Sequence, residues 1–395
     1  MKILHTSDWH LGQSFMGKSR EDEHIAFLSW LLQKIKDEEI NVLIVAGDIF
    51  DIGTPPNYAL ELYYDFLKNL VQTNCKYTII TAGNHDSVSN LKAPKQLLAM
   101  LNISIIASGE EDEIIEIYNN SKLEGVICAV PFLRDSVVRR AIRGESSKDK
   151  DKSLTDGIRE HYQSVYNRAK DIVRDSDIPI VATGHLTTVG AKISDSERDI
   201  YIGGSVNIDS SFFGEYFNYV ALGHLHNNQK VGSNHIRYSG SPIPLSFSEA
   251  DRDKRVNIVS FKENIVIVKE VTIPITKNLI VIKGNLNLVI EELEKIENKT
   301  CWIEIHLDDE NPIKANREIK TLAKSLDLTI LVIKMNNSTN ALDIDKNNLV
   351  PLEQKTPLDI FNLLLRSDKV YDDDKIRDEL VDSFKIILEE LEEIV

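Results

Sequence analysis

Five short polar motifs carry residue types that bind metal ions. In chain order they are Asp8-x-His10, Gly47-Asp48-x-x-Asp51, Gly83-Asn84-His85-Asp86, Gly184-His185 and Gly223-His224-x-His226. Their imidazole, carboxylate and amide groups, without any thiolate, suit divalent ions such as manganese, iron or zinc. Together the motifs supply seven candidate ligands: Asp8, His10, Asp48, Asn84, His185, His224 and His226.

Seven ligands are too many for one catalytic ion that must keep a coordination position open. They suit two ions roughly 3.5 to 4 Å apart, an arrangement that clamps the attacking and leaving oxygens of a phosphoryl displacement. We expect Asp48 to bridge the two ions because it follows a central strand. An isolated histidine at a strand end is more often structural, but the ordered set of five motifs favours a metal centre.

Two further residues of these motifs are candidates for proton chemistry. His85 follows the candidate ligand Asn84, so we expect it to face the substrate and donate a proton to the departing oxygen. We expect Asp51 to hold the His85 imidazole in the required tautomer. His5 is predicted to be a buried neighbour of the site. The remaining histidines are predicted to be structural or superficial: His24, His161, His235 and His306.

Each motif follows an apolar run that predicts a strand, and helical patterns over residues 20–39 and 57–71 alternate with the first three strands. This alternation predicts a mostly parallel α/β sheet, whose strand ends gather polar groups along one edge. In extended backbone, Asp8 and His10 would point to the same side. A glycine precedes the key residue in four motifs and permits a tight turn. The predicted strands cover residues 1–6, 41–46, 77–82, 178–183 and 219–222.

Composition narrows the classes of partner. Lys and Arg total 46 against 62 Asp and Glu, a net charge of −16, which argues against binding nucleic acid through bulk charge. Any contact with DNA must therefore be local. Three cysteines without CxxC spacing predict reduced thiols and a cytoplasmic location. We expect no signal peptide and no membrane span, because no run of about 18 apolar residues occurs.

The later part of the chain changes pattern. The charged stretch 143–153 predicts a surface loop, and residues 278–334 predict a compact β-α-β-α-β unit without a ligand cluster. A polar linker and two terminal helices follow. The last helix carries one apolar stripe, which could cover either its own domain or a partner protein, and its terminal position after a linker favours the partner. The stripe comprises Ile376, Leu380, Phe384, Ile387, Leu391 and Ile394.

Over roughly residues 1–240 the five motifs resemble the calcineurin-like metallophosphoesterase superfamily. Longer segments are similar to its SbcD branch of bacterial nuclease subunits: 5–12, 184–190, 194–203, 219–226 and 238–247. The resemblance implies a layered β-sheet core flanked by helices, a smaller α/β capping domain and a helical tail. The expected divisions are a nuclease domain at 1–275, the capping domain at 276–336, a linker at 337–350 and partner-binding helices at 351–395.

The resemblance also implies roles for individual residues. Asp8, His10, Asp48 and His226 should hold one ion, and Asp48, Asn84, His185 and His224 should hold the other. The resemblance implies that both ions are Mn²⁺. His85 matches the catalytic histidine and Asp51 its partner. Lys18, Arg20, Lys192 and Arg198 lie in loops beside the motifs and are candidates for contacts with DNA phosphates, although solvated surface charge is an equally good interpretation of each.

The family's activity is cleavage of DNA in repair and recombination. Its members cut double strands exonucleolytically with help from ATP, cut single strands endonucleolytically and open hairpins. The resemblance implies a homodimer within a heterotetramer, joined to an SbcC-type ATPase by the C-terminal helices.

Two other functions stay open on the residues alone. The same metal centre could act on a small phosphodiester or a phosphoprotein, although the extra domain and tail weigh against this. A scaffold that has lost catalysis is a further alternative, and the complete ligand set argues against it.

Overall fold

A computed structural model describes residues 1–139, 146–192, 208–262, 265–309 and 311–335, together with Phe361, Leu380, Val381, Ser383 and Phe384. The strands in these ranges are β1 (Lys2–Thr6), β2 (Ser14–Phe15), β3 (Lys18–Ser19), β4 (Val42–Ala46), β5 (Tyr77–Thr81), β6 (Ile103–Ile106), β7 (Ile114–Asn119), β8 (Lys122–Cys128), β9 (Ile180–His185), β10 (Tyr219–Gly223), β11 (Gln229–Val231), β12 (Ser233–Tyr238), β13 (Arg255–Lys262), β14 (Ile265–Thr272), β15 (Leu279–Gly284), β16 (Trp302–Leu307) and β17 (Thr329–Met335). The helices are α1 (Glu21–Asp37), α2 (Asn57–Leu70), α3 (Val88–Lys92), α4 (Lys95–Ala99), α5 (Asp135–Val138), α6 (Ser147–Val173), α7 (Ser210–Gly214), α8 (Leu286–Glu294) and α9 (Pro312–Ser325).

Two six-stranded sheets form the main domain, β1 to β14. The first sheet has the order β14-β13-β1-β4-β5-β6 and the second the order β11-β12-β10-β9-β8-β7. The central strands of each sheet are parallel, whereas β13, β14, β7 and β11 pair antiparallel to their neighbours. The five motifs are therefore divided between two sheets, and the single sheet expected from the strand–helix alternation is wrong.

Alternating side chains of β4 explain why the sequence could not separate these sheets. Val42 and Ile44 belong to the apolar layer between the sheets, where Val181 and Ala221 of the second sheet meet them. Leu43 instead belongs to the cluster beneath α1 and α2. Because both faces of the strand are covered, its sequence is a continuous apolar run whichever sheet contains it.

Helices cover the outer face of each sheet. Phe27 of α1 and Phe66 of α2 pack in the apolar cluster of the first sheet. Tyr162 of α6 and Phe213 of α7 pack in that of the second. The layers are helix, sheet, sheet, helix, which confirms the layered core that the family resemblance implied.

One local expectation is wrong. The charged stretch 143–153 is helical from Ser147, because Ser146 caps α6 by accepting a hydrogen bond from the Asp149 amide at 3.2 Å. Its charged first turns precede Leu154, the first buried apolar residue of the helix, so they show no apolar period.

The capping domain is built from β15 to β17 with α8 and α9. Its three strands are parallel in the order β15-β16-β17, and the helices pack on one face of this sheet. The other face contacts the main domain through Leu279 and Trp302, which pack with Phe15 and Phe247. The rings of Phe15 and Trp302 stack with centroids 5.6 Å apart. The β-α-β-α-β pattern expected for residues 278–334 is confirmed.

Most of the expected linker and tail lies outside the described residues. Within the tail, the rings of Phe361 and Phe384 stack with centroids 4.1 Å apart, one on each of the two expected terminal helices. Across the described residues, no helix combines the length and the apolar character that crossing a membrane requires.

Candidate metal centre

The candidate ligands lie at the ends of five strands, where the two sheets meet. From the first sheet come Asp8 and His10 after β1, Asp48 after β4 and Asn84 after β5. From the second come His185, the last residue of β9, and the pair His224 and His226 after β10. The first two loops are joined by main-chain hydrogen bonds, from the Asp8 amide to Gly47 O and from the His10 amide to Asp48 O, both 3.0 Å.

The loops that carry these ligands have an unusual backbone. Asp8, His10, Asp48 and His224 have positive φ angles of 53°, 47°, 50° and 93°. Non-glycine residues rarely adopt this conformation, and where they do the surrounding structure must hold them in place. The expectation that extended backbone aims Asp8 and His10 inward together is therefore wrong in its reason, although the two side chains do converge.

Two glycines allow the close approach that the centre needs. A Cβ on Gly47, which has φ +87°, would overlap the His185 imidazole. A Cβ on Gly83 would overlap the Asp48 carboxylate. Each motif therefore lies against a ligand of another motif, and a side chain at either glycine would push the ligands apart.

The donor atoms form three overlapping groups, two of which contain candidate ligands alone and one of which joins His10 to Asp51 and His85. Those of Asp8, His10 and His226 lie within 4.8 Å of one another, as do those of Asp8, Asp48 and His185. Asp48 Oδ2 lies 3.2 Å from His185 Nε2 and 3.7 Å from His10 Nε2, so this carboxylate reaches a ligand of each expected ion. Asp8 belongs to both groups that contain candidate ligands alone and shares this central position.

The two remaining candidate ligands, Asn84 and His224, lie next to His185. Asn84 Oδ1 lies 3.0 Å from His185 Nε2, and the rings of His224 and His185 have centroids 5.4 Å apart. The His224 amide donates to Asp8 Oδ1 at 2.8 Å. All seven predicted ligands are thus placed in one connected cluster.

Buried charge supports the assignment of a metal centre. Burial, with Asp48 close by, raises the pKa of Asp8, although neighbouring imidazoles act against it. Burial disfavours charge on His185, but Asp48 outweighs it and raises the pKa of this histidine to about 9. Among the described residues, His10 Nε2 is buried without a hydrogen-bond partner. Oxygen and nitrogen donors packed in this way fit two divalent cations.

His85 lies beside the ligands and is half-buried. Its main-chain amide donates to Asp48 Oδ1 at 2.9 Å, and its ring centroid is 4.9 Å from that of His10. Its Nδ1 lies 2.6 Å from the main-chain carbonyl of Asp51. The carboxylate of Asp51 lies 3.1 Å from His10 Nδ1. Asp51 thus contacts His85 through its main-chain carbonyl, and its carboxylate lies within 4.8 Å of a His85 ring nitrogen.

A buried ion pair lies behind His226. Glu249 Oε1 is 3.8 Å from His226 Nδ1, and Glu249 pairs with Lys254. The Lys254 ammonium also donates to the His226 carbonyl at 3.0 Å and to Ser241 Oγ at 2.9 Å. Glu249 and Lys254 are almost completely buried. Sequence reasoning missed this pair because both residues lie in a strongly charged stretch, 249–255, that is typical of a surface.

The other histidines outside the motifs divide in two. His5 is a buried neighbour as expected, with Nδ1 2.9 Å from the Tyr219 hydroxyl, and burial lowers its pKa to about 3. His24 is buried, and His161 lies 2.9 Å from Glu113, so both are structural. His306 is different, because it faces the metal centre across a cleft.

That cleft has a volume of about 740 Å³ and lies between the main and capping domains. Its main-domain wall includes the ligands His10 and His226 and the candidate proton donor His85. Its capping wall includes four polar residues that sequence reasoning did not assign to a site: Lys283, Glu304, His306 and Lys334. The sequence does contain a pattern that could have indicated this wall. Each strand of the capping domain carries one basic residue directly after an isoleucine near its end.

The four candidates for phosphate contacts have different outcomes. Lys18 and Lys192 are exposed, and Arg198 lies outside the described residues. Arg20 was wrongly predicted to contact phosphate, because its guanidinium is buried and bonds both oxygens of Glu23 at 2.5 and 2.8 Å. It also donates to Pro244 O at 2.9 Å and lies 5.4 Å from the Trp302 ring. Arg20 therefore supports the contact between the domains.

Comparison with known proteins agrees with this geometry. The calcineurin-like phosphoesterase family matches residues 1–228, and the family described as the type 5 capsule protein repressor C-terminal domain matches residues 275–369. The SbcD subunit of the nuclease SbcCD from Escherichia coli K12 is 38% identical over 372 residues, 92% of each chain. The SbcD subunit from Rhodobacter capsulatus is 34% identical over 66% of each chain. The SbcD subunit from Bacillus subtilis is 32% identical over 78% of this chain and 79% of the relative. The chain belongs to the SbcD family of calcineurin-like phosphoesterases.

Proposed function

We propose that this chain is the nuclease subunit of an SbcCD-type complex and hydrolyses DNA phosphodiester bonds at a two-metal centre. The observation that carries the proposal is the convergence of seven ligand-type side chains from two sheets at one edge of a cleft. Membership of a family whose curated relatives are named nuclease subunits supports DNA as the substrate. The proposed reactions are ATP-assisted exonuclease action on double strands, endonuclease action on single strands, and hairpin opening.

The residues would divide between two ions. Asp8, His10, Asp48 and His226 would hold one ion, and Asp48, Asn84, His185 and His224 the other. Carboxylate, amide and imidazole donors without sulfur suit manganese, iron or zinc, and we propose manganese because the resemblance to the SbcD family implies it. Two such ions would stabilise negative charge on the phosphate and on the oxygens that attack and leave it.

His85 is proposed as the group that supplies a proton to the departing oxygen. A carbonyl oxygen only accepts hydrogen bonds, so Nδ1 of His85 carries the hydrogen that points to Asp51 O. Nε2 is then the nitrogen left to exchange a proton with substrate. The main-chain carbonyl of Asp51 therefore fixes the tautomer of the His85 ring.

The Asp51 carboxylate has a different proposed role. It accepts a hydrogen bond from His10 Nδ1, which leaves His10 Nε2 free of hydrogen and available as a ligand atom. Asp51 is therefore a positioning residue for a ligand, and its main-chain carbonyl orients His85.

The tail is proposed to bind an SbcC-type ATPase, within a heterotetramer that contains two copies of this chain. The relatives' name, which denotes one subunit of a complex, and the apolar stripe of the last predicted helix support this. We propose that the boundaries between the domains, the linker and the tail lie after residues 275, 336 and 350. The family match that starts at residue 275 supports the first of these boundaries. The three free cysteines support a reducing cytoplasmic location.

Substitutions on the stripe test the tail. Ile387→Asp with Leu391→Asp should abolish co-purification with the ATPase but retain manganese-dependent cleavage of single-stranded DNA. Glu389→Gln with Glu393→Gln, on the opposite face of the predicted helix, should keep both properties. Unchanged co-purification of the aspartate variant would contradict the docking role.

A substrate comparison tests the function itself. Purified chain with Mn²⁺ receives a hairpin DNA or bis-p-nitrophenyl phosphate, with and without the ATPase. We expect cleavage of the hairpin, increased by the ATPase and ATP. Rapid hydrolysis of the small ester alone would instead favour the alternative, a phosphoesterase for small phosphodiesters or phosphoproteins.

A further inference from the structure

A row of three basic side chains crosses the sheet of the capping domain. Lys283 of β15 pairs in register with His306 of β16, which pairs with Lys334 of β17. Residues in register across neighbouring strands project from the same face of a sheet. All three line the cleft that the metal centre also lines. We call Lys283, His306 and Lys334 the capping row.

Glu304 holds two members of the row in place. It is only 4% exposed, and its Oε1 accepts hydrogen bonds from His306 Nε2 at 2.6 Å and from Lys334 Nζ at 2.9 Å. Burial acts to raise the pKa of Glu304, but the hydrogen bonds from His306 and Lys334 outweigh it and hold the pKa below its ordinary value. Glu304 is therefore an anion that orients its neighbours.

Lys283 is available for a ligand. Its side chain is exposed, and within the described ranges it forms no ion pair. Lys334 is 55% exposed even though it contacts Glu304, so its remaining hydrogens can also bond to a ligand. A lysine ammonium is a compact charge with three donors, which suits a phosphate oxygen.

The cleft joins this row to the metal centre. Its volume of about 740 Å³ is within the roughly 300–1,000 Å³ range of ligand pockets, which suits a short strand segment better than a whole duplex. Ser246 and Ser248 lie along the same cleft and offer hydroxyl donors. One wall thus presents the proposed hydrolytic centre and the other presents localised positive charge.

We propose that the capping row binds a backbone phosphate of the strand whose neighbouring phosphodiester occupies the metal centre. This inference rests on the proposed function. A polynucleotide carries a phosphate at every nucleotide, whereas a small diester carries only the one that reacts. The row would therefore favour nucleic-acid substrates over small esters, and it would supply the local charge that a chain of net charge −16 needs.

The test compares two double variants of the full chain. Lys283→Gln with Lys334→Gln removes two charges from the capping row. Lys295→Gln with Lys320→Gln removes the same charge from exposed positions at the end of α8 and on α9, which cover the other face of the sheet. Binding of a fluorescent single-stranded oligonucleotide is measured by anisotropy at several salt concentrations. Cleavage of the same oligonucleotide and hydrolysis of bis-p-nitrophenyl phosphate are measured with Mn²⁺.

The row variant should bind the oligonucleotide about tenfold more weakly, and its log–log salt dependence should be shallower by about 0.7, the contribution of one lost single-strand phosphate contact. Its kcat/KM for the oligonucleotide should fall about tenfold relative to that for the small ester, whereas the control variant should match the original chain. Equal behaviour of the two variants would overturn the inference, as would a parallel loss on both substrates. If the unsubstituted chain hydrolyses only the small ester, the proposed function fails instead.

Discussion

Asp48 Oδ2 lies 3.2 Å from His185 Nε2, and this contact joins the two sheets of the main domain. Asp48 follows β4 of the first sheet and His185 ends β9 of the second, 137 positions later in the chain. Neither residue alone indicates a metal centre. Their contact, with Asp8 and His10 beside them, places the proposed catalytic centre where the two sheets meet.

The Asp48–His185 pair should make manganese binding dependent on pH. The pKa of His185 in the folded, metal-free chain is raised from 6.5 to about 9, mainly by Asp48 acting against burial. Its contribution to stability is therefore complete below pH 6.5 and is lost as the pH rises through about 9. A metal ion needs the neutral imidazole, so binding at pH 7.5 should release about one proton from this site.

Titration calorimetry in two buffers of different ionisation enthalpy measures that release. The affinity for Mn²⁺ should rise by up to about tenfold per pH unit between pH 7 and 8.5. An affinity that is constant over this range would show that His185 does not lose a proton when the metal binds.

Replacing the candidate proton donor should separate metal binding from chemistry. His85→Leu should retain both ions, because the variant keeps the amide of residue 85 that donates to Asp48. Cleavage of DNA should fall by about 10²- to 10⁴-fold, the usual contribution of a positioned acid or base. His235→Leu, a substitution of a half-buried histidine on β12, is the control. Unchanged cleavage by the His85 variant would remove this residue from the mechanism.

The buried pair behind His226 should affect metal affinity. Glu249→Gln removes the charge that faces both His226 Nδ1 and Lys254 while keeping the shape of the side chain. We expect manganese affinity to fall by about 10- to 100-fold, the usual effect of losing a partner of a ligand histidine. Circular dichroism checks that the variant is folded. A folded variant with full affinity would leave Glu249 with a purely structural role.

Arg20 should contribute to stability and not to DNA binding. Arg20→Ala leaves the Glu23 carboxylate buried without its partner, which should cost about 3–5 kcal/mol in the free energy of unfolding. Arg168→Ala breaks an exposed pair with Asp112 and should cost at most about 1 kcal/mol. Urea unfolding measures both values. Equal values for the two variants would contradict the role assigned to Arg20.

The metal centre could be predicted from the sequence because its residues stand at the ends of recognisable strands. An apolar run such as 41–46 shows where a strand stops, and the polar residues after it are then expected at an edge of a sheet. Which sheet contains each strand could not be predicted, since strands covered on both faces look alike. The positive φ angles at Asp8 and His10 could not be predicted from the sequence either, because they depend on contacts with the loop after β4.

Residues that act through another segment were the hardest to identify. Arg20 looks like a surface cation until Trp302 of the capping domain covers it. His306 looks like an isolated histidine until its strand is aligned with Lys283 and Lys334. Both errors have the same cause, since the environment of a side chain depends on distant parts of the chain that local pattern does not place.

Electron paramagnetic resonance of the chain titrated with Mn²⁺ tests the central claim most directly. Two ions roughly 3.5 to 4 Å apart are magnetically coupled, so the spectrum at two equivalents should differ from that of isolated Mn²⁺. Asp48→Asn should remove this coupling, whereas Asp65→Asn, on the exposed face of α2, should keep it. A coupled signal that depends on Asp48 is the predicted result, and a spectrum of uncoupled Mn²⁺ at two bound equivalents would contradict the paired centre.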